Sequence, residues 1–160
     1  MTINVKISKK PIEYNKAVSI LEKKAYELSR KTNNQELIWI LEHNHIYTGG
    51  TSFNNKDIID KSIKIIKTNR GGKITYHGPG QLIFYFVIDL NKRKKDIRWF
   101  IQVIEKTIIN TLMEFNIKAY SDKKNIGIWI KKGNANKKIG AIGVKIKKWI
   151  AFHGFSLNIQ

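Results

Sequence analysis

Apolar residues recur at spacings of three and four in two segments, and this periodicity predicts two amphipathic helices. The first stripe spans residues 14–28 and follows Pro11, a residue typical of a helix start. The second stripe spans residues 100–115, and Asp96 stands before it as a plausible N-cap. We expect both helices to bury one face against the rest of the fold.

Compact apolar runs between polar or glycine-rich segments predict the strands. The glycine-rich segment 45–52 predicts a loop, and residues 77–80 predict a tight turn between two strands. We expect a single α/β domain over residues 1–160, with a mostly antiparallel sheet flanked by helices. The predicted strands lie at residues 36–43, 74–76, 81–90, 125–131, 138–145 and 149–159, with one or two short strands within 58–67.

The net charge of +18, from 30 Lys and Arg against 12 Asp and Glu, is typical of proteins that bind nucleic acid. However, 26 of these basic residues are Lys and only four are Arg, the side chain that best recognises bases and phosphates. An excess of Lys, Ile and Asn is also what an A/T-rich coding sequence produces. Compositional bias, an acidic protein partner and a nucleic-acid partner therefore all stay open.

The sequence contains no cysteine, which excludes disulfides, thiolate metal sites and a cysteine nucleophile within these residues. His43 and His45 could face one metal ion from the same side of a strand, but no third ligand is apparent nearby. No segment approaches the roughly 20 apolar residues of a membrane helix, and the N-terminus lacks the apolar block of a signal peptide. We expect a cytoplasmic protein with no membrane span, no metal and no cofactor.

Three segments combine glycine with polar side chains more densely than core packing requires. Residues 70–81 (RGGKITYHGPGQ) expose backbone amides beside an arginine and set an imidazole next to a Gly-Pro turn. Residues 138–143 (KIGAIG) leave space above a strand, into which Lys138 could reach as a base, although Lys137 is equally available. Residues 153–158 (HGFSLN) add donors and acceptors to an apolar strand. Ordinary hairpin turns, surface lysines and a structural histidine are the alternative interpretations.

Taken in order, the strings EHNHIYTGG, RGGKITYHGPGQL, KIGAIGVKI and HGFSLNI resemble the octanoyltransferase family of lipoate biosynthesis, over residues 42–159. The second string is highly specific, because the related ATP-using lipoate ligases carry a glycine triplet and an HD-type sequence there. The resemblance implies a biotin/lipoate protein ligase-like catalytic fold. It also implies octanoyl transfer from octanoyl-acyl carrier protein to a lysine of lipoyl domains, those of 2-oxoacid dehydrogenases and the glycine cleavage H protein.

The resemblance further implies which residues act. The family's catalytic lysine, which lowers the pKa of the nucleophile and handles protons, falls on Lys138, because the spacing to the AIG string excludes Lys137. The family's substrate-binding positions fall on Arg70, Gly71, Gly72, Lys73, Ile74, Thr75, Tyr76, His77, Ala141, Ile142, Gly143, Gly154, Phe155 and Ser156.

One departure from the family concerns the nucleophile, a cysteine that forms an acyl-thioester and lies beyond the HGxxLN string. The chain as given ends at Gln160 on an apolar segment without that cysteine, and we expect a truncation at the C-terminus. The resemblance therefore implies an acyltransferase, while the activity of this cysteine-free chain is open. The alternatives are a truncated, non-catalytic module that binds acyl chains or acyl carrier protein, and a basic nucleic-acid-binding protein.

Overall fold

The structure is a computed structural model that describes residues 2–122 and 125–160. This part of the chain forms two α-helices and ten strands, and the fold is α/β as predicted. Short 3-10 turns lie at Asn55–Asp57 and Leu90–Lys92. The elements are β1 (Ile3–Ile7), α1 (Tyr14–Ser29), β2 (Glu36–Leu41), β3 (Ile46–Gly49), β4 (Ile65–Lys67), β5 (Ile74–His77), β6 (Gln81–Asp89), α2 (Ile97–Glu114), β7 (Ala119–Ser121), β8 (Ile128–Lys132), β9 (Ala135–Lys147) and β10 (Ile150–Asn158).

The strands of the described residues form one large and one small sheet. The large sheet has the order β1-β2-β6-β10-β9-β8-β7 and is antiparallel apart from the β1–β2 pair. The small sheet has the order β4-β3-β5, with β3 parallel to β4 and antiparallel to β5. The mostly antiparallel character is confirmed, while the second sheet was not predicted.

The two helices cover opposite faces of the large sheet. Alternate residues of β6 point to opposite faces, so Val87 packs beneath α1 while Phe86 packs beneath α2. The buried stripe of α1 is Tyr14, Ala17, Leu21, Ala25 and Leu28, and the buried stripe of α2 is Phe100, Ile104, Ile108 and Leu112. Within the described ranges, no helix is long and apolar enough to cross a membrane.

The helix starts follow from their caps. The Asp96 carboxylate accepts the backbone N–H of Trp99 at 3.0 Å, which confirms the predicted N-cap of α2. At α1 the cap is Glu13, whose carboxylate accepts the N–H groups of Asn15 and Lys16 at 2.9 and 2.7 Å. The first helix therefore begins at Tyr14, three residues after the expected proline start.

The prediction of a loop over residues 45–52 is wrong. Residues 46–49 form β3, the central strand of the small sheet, which pairs with β4 on one side and β5 on the other. Its partners lie 18 residues away in β4 and 25–31 residues away in β5, and such pairing is decided by tertiary contacts that a local glycine-rich pattern does not reveal. The three-residue strand β7, which pairs with β8, was not predicted either.

A buried ion pair joins the start of β2 to the turn that follows β6. Glu36 is 1% exposed and accepts two hydrogen bonds from the Arg93 guanidinium, at 2.5 and 2.7 Å. The backbone N–H of Asp89 donates to the same carboxylate at 2.7 Å. Burial alone raises the pKa of Glu36, but the Arg93 and Asp89 hydrogen bonds and the Arg93 charge together lower it below its ordinary value.

Replacing Arg93 with methionine leaves the Glu36 carboxylate buried without its cation. We expect Arg93→Met to lower the free energy of unfolding by about 3 kcal/mol at neutral pH, measured by urea denaturation. The loss shrinks as pH falls below the ordinary glutamate pKa of about 4.3, because a protonated Glu36 no longer needs the cation. The control is Arg98→Met on the exposed side of α2; equal losses in both variants would contradict the prediction.

Candidate functional site

A narrow cavity lies on the α1 side of the large sheet, where β9 and β10 meet the small sheet. Its volume is about 50 Å³. Aliphatic and aromatic groups form most of its wall, with a guanidinium, two imidazoles and two hydroxyl-bearing side chains of serine and threonine among them. The lining residues are Tyr14, Arg70, Thr75, His77, Ile83, Tyr85, Ala141, Ile142, Gly143, His153, Gly154, Phe155 and Ser156.

The cavity brings together residues from all three glycine-containing segments. The predicted substrate-binding residues that line it are Arg70, Thr75, His77, Ala141, Ile142, Gly143, Gly154, Phe155 and Ser156. The predicted residues that do not line it are Gly71, Gly72, Lys73, Ile74, Tyr76 and the predicted catalytic residue Lys138. The binding roles of both groups stay predictions.

Sheet register sets two of the three segments side by side. In the β9–β10 pair, Gly154 stands opposite Gly143 and Ser156 opposite Ala141. A Cβ atom on Gly154 would lie 1.9 Å from the carbonyl oxygen of Phe84 in β6, so a side chain at this position would collide with the neighbouring backbone. Glycine is therefore required for β10 to approach β6 closely, and this approach forms the floor of the cavity.

Arg70 holds the third segment against the small sheet. Its Nη2 donates to the Thr48 carbonyl and hydroxyl oxygens at 2.9 and 2.8 Å and to the Lys73 carbonyl at 3.0 Å. Its Nη1 donates to the Gly71 carbonyl at 2.9 Å. The side chain is 8% exposed, and its Nε is buried with no hydrogen-bond partner among the described residues. Arg70 thus shapes the 70–73 loop and still offers one donor.

The other residues of this segment that lie outside the cavity also fix its path. The Lys73 ammonium pairs with Asp57 at 3.0 Å. The Tyr76 hydroxyl and His45 Nδ1 form a hydrogen bond of 2.5 Å. These contacts tie the segment to the loop before β4 and to the start of β3, so its residues outside the cavity support its shape.

A chain of polar contacts links the cavity to Lys138. His77 Nδ1 donates to the Gln81 side-chain oxygen at 2.6 Å, and the Gln81 amide donates to the Asn158 side-chain oxygen at 2.9 Å. The Asn158 amide in turn lies 3.4 Å from the Lys138 carbonyl oxygen. The end of β10, the start of β9 and the turn after β5 therefore converge at one edge of the site.

The Lys138 ammonium itself is turned away from the cavity. Its Nζ donates to the Ile126 carbonyl oxygen at 2.9 Å and lies 4.9 Å from the centroid of the Trp129 ring. Lys137 does not line the cavity either and belongs to an exposed stretch of β9. To reach the cavity, Lys138 would have to exchange the Ile126 carbonyl for a new partner.

Two tyrosines that line the cavity, Tyr14 and Tyr85, contact His43, the residue weighed above as a possible metal ligand. The Tyr85 hydroxyl donates to His43 Nε2 at 2.8 Å, because His43 Nδ1 donates to the Ile12 carbonyl oxygen at 2.6 Å. Tyr14 stacks on His77 with 6.1 Å between ring centroids. Burial lowers the pKa of His43 and raises that of Tyr85 well above its ordinary value, so both are neutral.

His43 is therefore not a metal ligand, since both of its ring nitrogens are already hydrogen-bonded. Within residues 2–122 and 125–160, no group of three His, Cys, Asp or Glu side chains could hold a metal ion.

His153, in the predicted HGFSLN segment for which a structural role stayed open, lines the cavity. It has a left-handed backbone with φ of 69°, and its side chain is 1% exposed. Its Nε2 donates to the Asn69 side-chain oxygen at 2.9 Å, so Nδ1 carries a lone pair, and this atom is buried with no partner among the described residues. Burial and the charges of Lys145 and Arg70 lower its pKa to about 4.

The comparisons with known proteins agree with this architecture. The family described as lipoyl protein ligase A/B catalytic domain matches residues 16–160. The octanoyltransferase of Parvibaculum lavamentivorans is 42% identical over 160 residues, which cover 97% of this chain and 71% of that protein. The octanoyltransferase of Wolbachia pipientis wMel is 44% identical over 154 residues, which cover 96% of this chain and 75% of that protein.

Solved structures of lipoate ligases share the fold. A bi-partite lipoate protein ligase from Thermoplasma acidophilum has a TM-score of 0.71 at 17% identity, covering 99% of this chain and 62% of that one. Lipoate-protein ligase A bound with ATP has a TM-score of 0.70 at 17% identity, covering 99% of this chain and 67% of that one. The predicted lipoate ligase-like fold is confirmed.

Replacing Arg70 with lysine removes the guanidinium whose hydrogen bonds hold the 70–73 loop. A lysine has one ammonium in place of several fixed donors, so we expect Arg70→Lys to lower the free energy of unfolding by about 2 kcal/mol. Hydrogen exchange should quicken at the Thr51 and Ser52 amides, which donate to the Arg70 and Gly72 carbonyls. The control Arg30→Lys, at an exposed site, should change neither quantity.

The buried histidines make the fold sensitive to acid. Burial lowers the pKa of both His77 and His153 to about 4, whereas an unfolded histidine titrates near 6.5. As pH falls, the unfolded chain therefore binds protons at these histidines before the folded chain does. The free energy of unfolding decreases between about pH 6.5 and pH 4, by up to about 1.4 kcal/mol per pH unit for each histidine. NMR titration of the two ring protons should give midpoints near 4. Midpoints near the ordinary value for both rings would contradict this origin of the acid sensitivity.

Proposed function

This chain belongs to the octanoyltransferase family of lipoyl protein ligase A/B catalytic domains, and we propose that it transfers an octanoyl group in lipoate biosynthesis. The donor is octanoyl-acyl carrier protein and the acceptor is a lysine of a lipoyl domain. The observation that carries the proposal is that residues of three separate segments, 70–77, 141–143 and 153–156, line one largely apolar cavity.

The cavity has the composition that an acyl thioester needs. Ile83, Ala141 and the ring of Tyr85 offer apolar contact to a hydrocarbon chain, while the buried Nε of Arg70 offers a hydrogen-bond donor to an oxygen of the substrate. Buried donors without a protein partner are costly, and a ligand oxygen would satisfy this one. Apolar walls with a few polar groups are typical of small-molecule sites and orient the ligand.

The reaction exchanges a thioester for an amide. The lysine amine of the acceptor attacks the acyl carbonyl, the C–S bond breaks, and the proton lost from nitrogen leaves with the thiol of the carrier. In the two-step route of the family, a cysteine thiolate attacks first and holds the acyl group as a thioester. None of the 160 residues is a cysteine, so these residues supply acyl binding and proton handling but not that thiol.

We assign proton handling to Lys138. Its backbone lies at the edge where β9 and the end of β10 meet, beside Asn158 and next to the segment that lines the cavity. The ammonium can leave the Ile126 carbonyl by rotation of a flexible four-carbon stem, at the cost of one hydrogen bond and the contact with Trp129.

The surface charge suits the proposed donor. Acyl carrier proteins are acidic, and the formal net charge of +18 would speed their association with this chain. We extend the proposal to the lipoyl domains of 2-oxoacid dehydrogenases and of the glycine cleavage H protein as acceptors. The cytoplasmic location and the assignment of residues 1–160 to one domain stay predictions.

The two alternative functions are not favoured. Relatives above 40% identity across nearly the whole chain are octanoyltransferases, which gives no support to a nucleic-acid-binding protein. A non-catalytic acyl-binding module would keep the same cavity without the chemistry. Transfer is therefore the property to measure.

The test supplies the missing thiol. We expect a chimera of residues 1–158 with the cysteine-bearing C-terminal segment of an octanoyltransferase relative to transfer octanoyl from octanoyl-acyl carrier protein to an apo lipoyl domain. The readout is the mass increase of that domain. In this chimera, Lys138→Ala should slow transfer by at least about 100-fold, as expected for loss of a proton-transfer group, while Lys137→Ala keeps the parent rate.

A folded chimera that binds octanoyl-acyl carrier protein but transfers nothing would favour the binding module. Equal losses in the Lys138 and Lys137 variants would overturn the assignment of Lys138.

A further inference from the structure

Two cavities on the α1 side of the large sheet are separated by a row of hydrogen-bonded side chains. His153 lines the narrow cavity of about 50 Å³ described above. Asn69 and Glu22 line a second cavity of about 390 Å³ that lies between α1 and the far end of β9. The remaining residues around this second cavity are Ala25, Tyr26, Ser29, Lys145, Lys147, Lys148 and Phe152.

The row is continuous from the core to the surface. His153 Nε2 donates to the Asn69 side-chain oxygen at 2.9 Å, and the Asn69 amide nitrogen donates to the Glu22 carboxylate. His153 is 1% exposed, whereas Glu22 lies on the exposed side of α1. The imidazole is therefore held from behind by an amide, which is itself held by a helix that packs on the sheet.

The backbone of His153 adds to the rigidity of this row. Its φ of 69° is in the left-handed region, which a histidine occupies only when the surrounding contacts compensate for the strain. Its ring also stacks on Phe152, with 5.2 Å between ring centroids. The ring orientation is thus fixed by a hydrogen bond on one edge and by stacking on one face.

His153 stands at the end of the site opposite to Lys138. Strand β10 runs from His153 past Ser156 to Asn158, whose amide contacts the Lys138 carbonyl. At about 3.4 Å per residue, the three steps from His153 to Ser156 span roughly 10 Å, comparable with the length of an extended octanoyl chain. An acyl group whose carbonyl lies beside Ser156, toward the Lys138 end, would therefore bring its terminal carbons to the His153 ring.

We propose that His153, held in place by Asn69 and Glu22, forms the end wall that limits the length of the acyl chain. This inference rests on the proposed function, because it takes the narrow cavity as the acyl site and the Lys138 end as the reacting end. Removing the wall would join the narrow cavity to the larger one. There the side chains of Ala25 and Phe152 could contact the additional methylenes of a longer acyl chain.

The experiment compares the binding of octanoyl-pantetheine and dodecanoyl-pantetheine to the 160-residue chain by calorimetry. His153→Gly removes the ring and suits the left-handed backbone. We expect it to lower the Kd for dodecanoyl-pantetheine at least tenfold while the Kd for octanoyl-pantetheine changes little, since each methylene admitted to an apolar pocket is worth roughly tenfold or more. The ratio of the two Kd values is the readout.

Substitutions of Asn69 and Glu22 test whether the wall depends on the hydrogen bonds that hold the His153 ring. Asn69→Ala and Glu22→Ala release the imidazole and should shift the ratio in the same direction, by less than His153→Gly. Glu22→Gln keeps an oxygen for the Asn69 amide and should retain the parent ratio. Lys23→Ala is the matched control on α1, because Lys23 is exposed and lines neither cavity.

The outcomes separate this inference from the proposed function. If the parent chain does not bind octanoyl-pantetheine, the acyl site itself is wrong, and the end wall falls with it. If the parent binds octanoyl-pantetheine but Asn69→Ala and His153→Gly leave the ratio unchanged, the end wall alone is wrong. Should His153→Gly fail to fold, Asn69→Ala and Glu22→Ala decide the question by the same ratio.

Discussion

The buried guanidinium of Arg70 is the contact on which the geometry of the site depends. A cation taken out of water is costly unless its donors are satisfied, and here the Nη donors reach the oxygens of Thr48, Gly71 and Lys73. Thr48 belongs to the small sheet, whereas Gly71 and Lys73 belong to the loop before β5. The Arg70 side chain therefore fixes this loop against the small sheet. The planar guanidinium can donate hydrogen bonds to all of these oxygens at once, which the single ammonium of a lysine could not. The position of the 70–77 segment over β9 and β10 follows from these hydrogen bonds.

The large sheet supplies the matching surface, and two backbone features of β10 make it possible. Gly154 lets the strand approach the Phe84 carbonyl where any Cβ would collide. His153, one residue earlier, takes a left-handed conformation that turns its ring toward Asn69 on the α1 side. The HGFSLN string therefore determines the shape of the cavity as well as its chemistry. Its glycine sets the depth of the cavity and its histidine sets one end.

Local patterns predicted the parts of this fold that local physics controls. The periodic stripes of both helices, the Asp96 cap and the long strands β6 and β10 are encoded by spacing within a few residues. Residues 46–49 were missed as a strand because both pairing partners are distant in sequence. The motifs also identified the segments that meet at the site. They did not reveal that the Lys138 ammonium bonds the Ile126 carbonyl, since that contact depends on how a flexible side chain folds over its neighbouring loop.

The same reasoning explains why Tyr14 and Tyr85 could not be recognised as cavity residues from sequence, and why the HGFSLN string left a structural role open for His153. On a helix stripe or an apolar strand, such side chains are indistinguishable from core residues, and they are in fact buried like core residues. What distinguishes His153 is a single unpaired ring nitrogen, visible only once Asn69 is known to occupy the other. Since Asn69 is in turn held by Glu22 on α1, the contact that docks this helix to the site also orients a wall of the cavity. The packing of α1 and the shape of the site are therefore coupled, and a change on the exposed side of a helix can act inside the pocket.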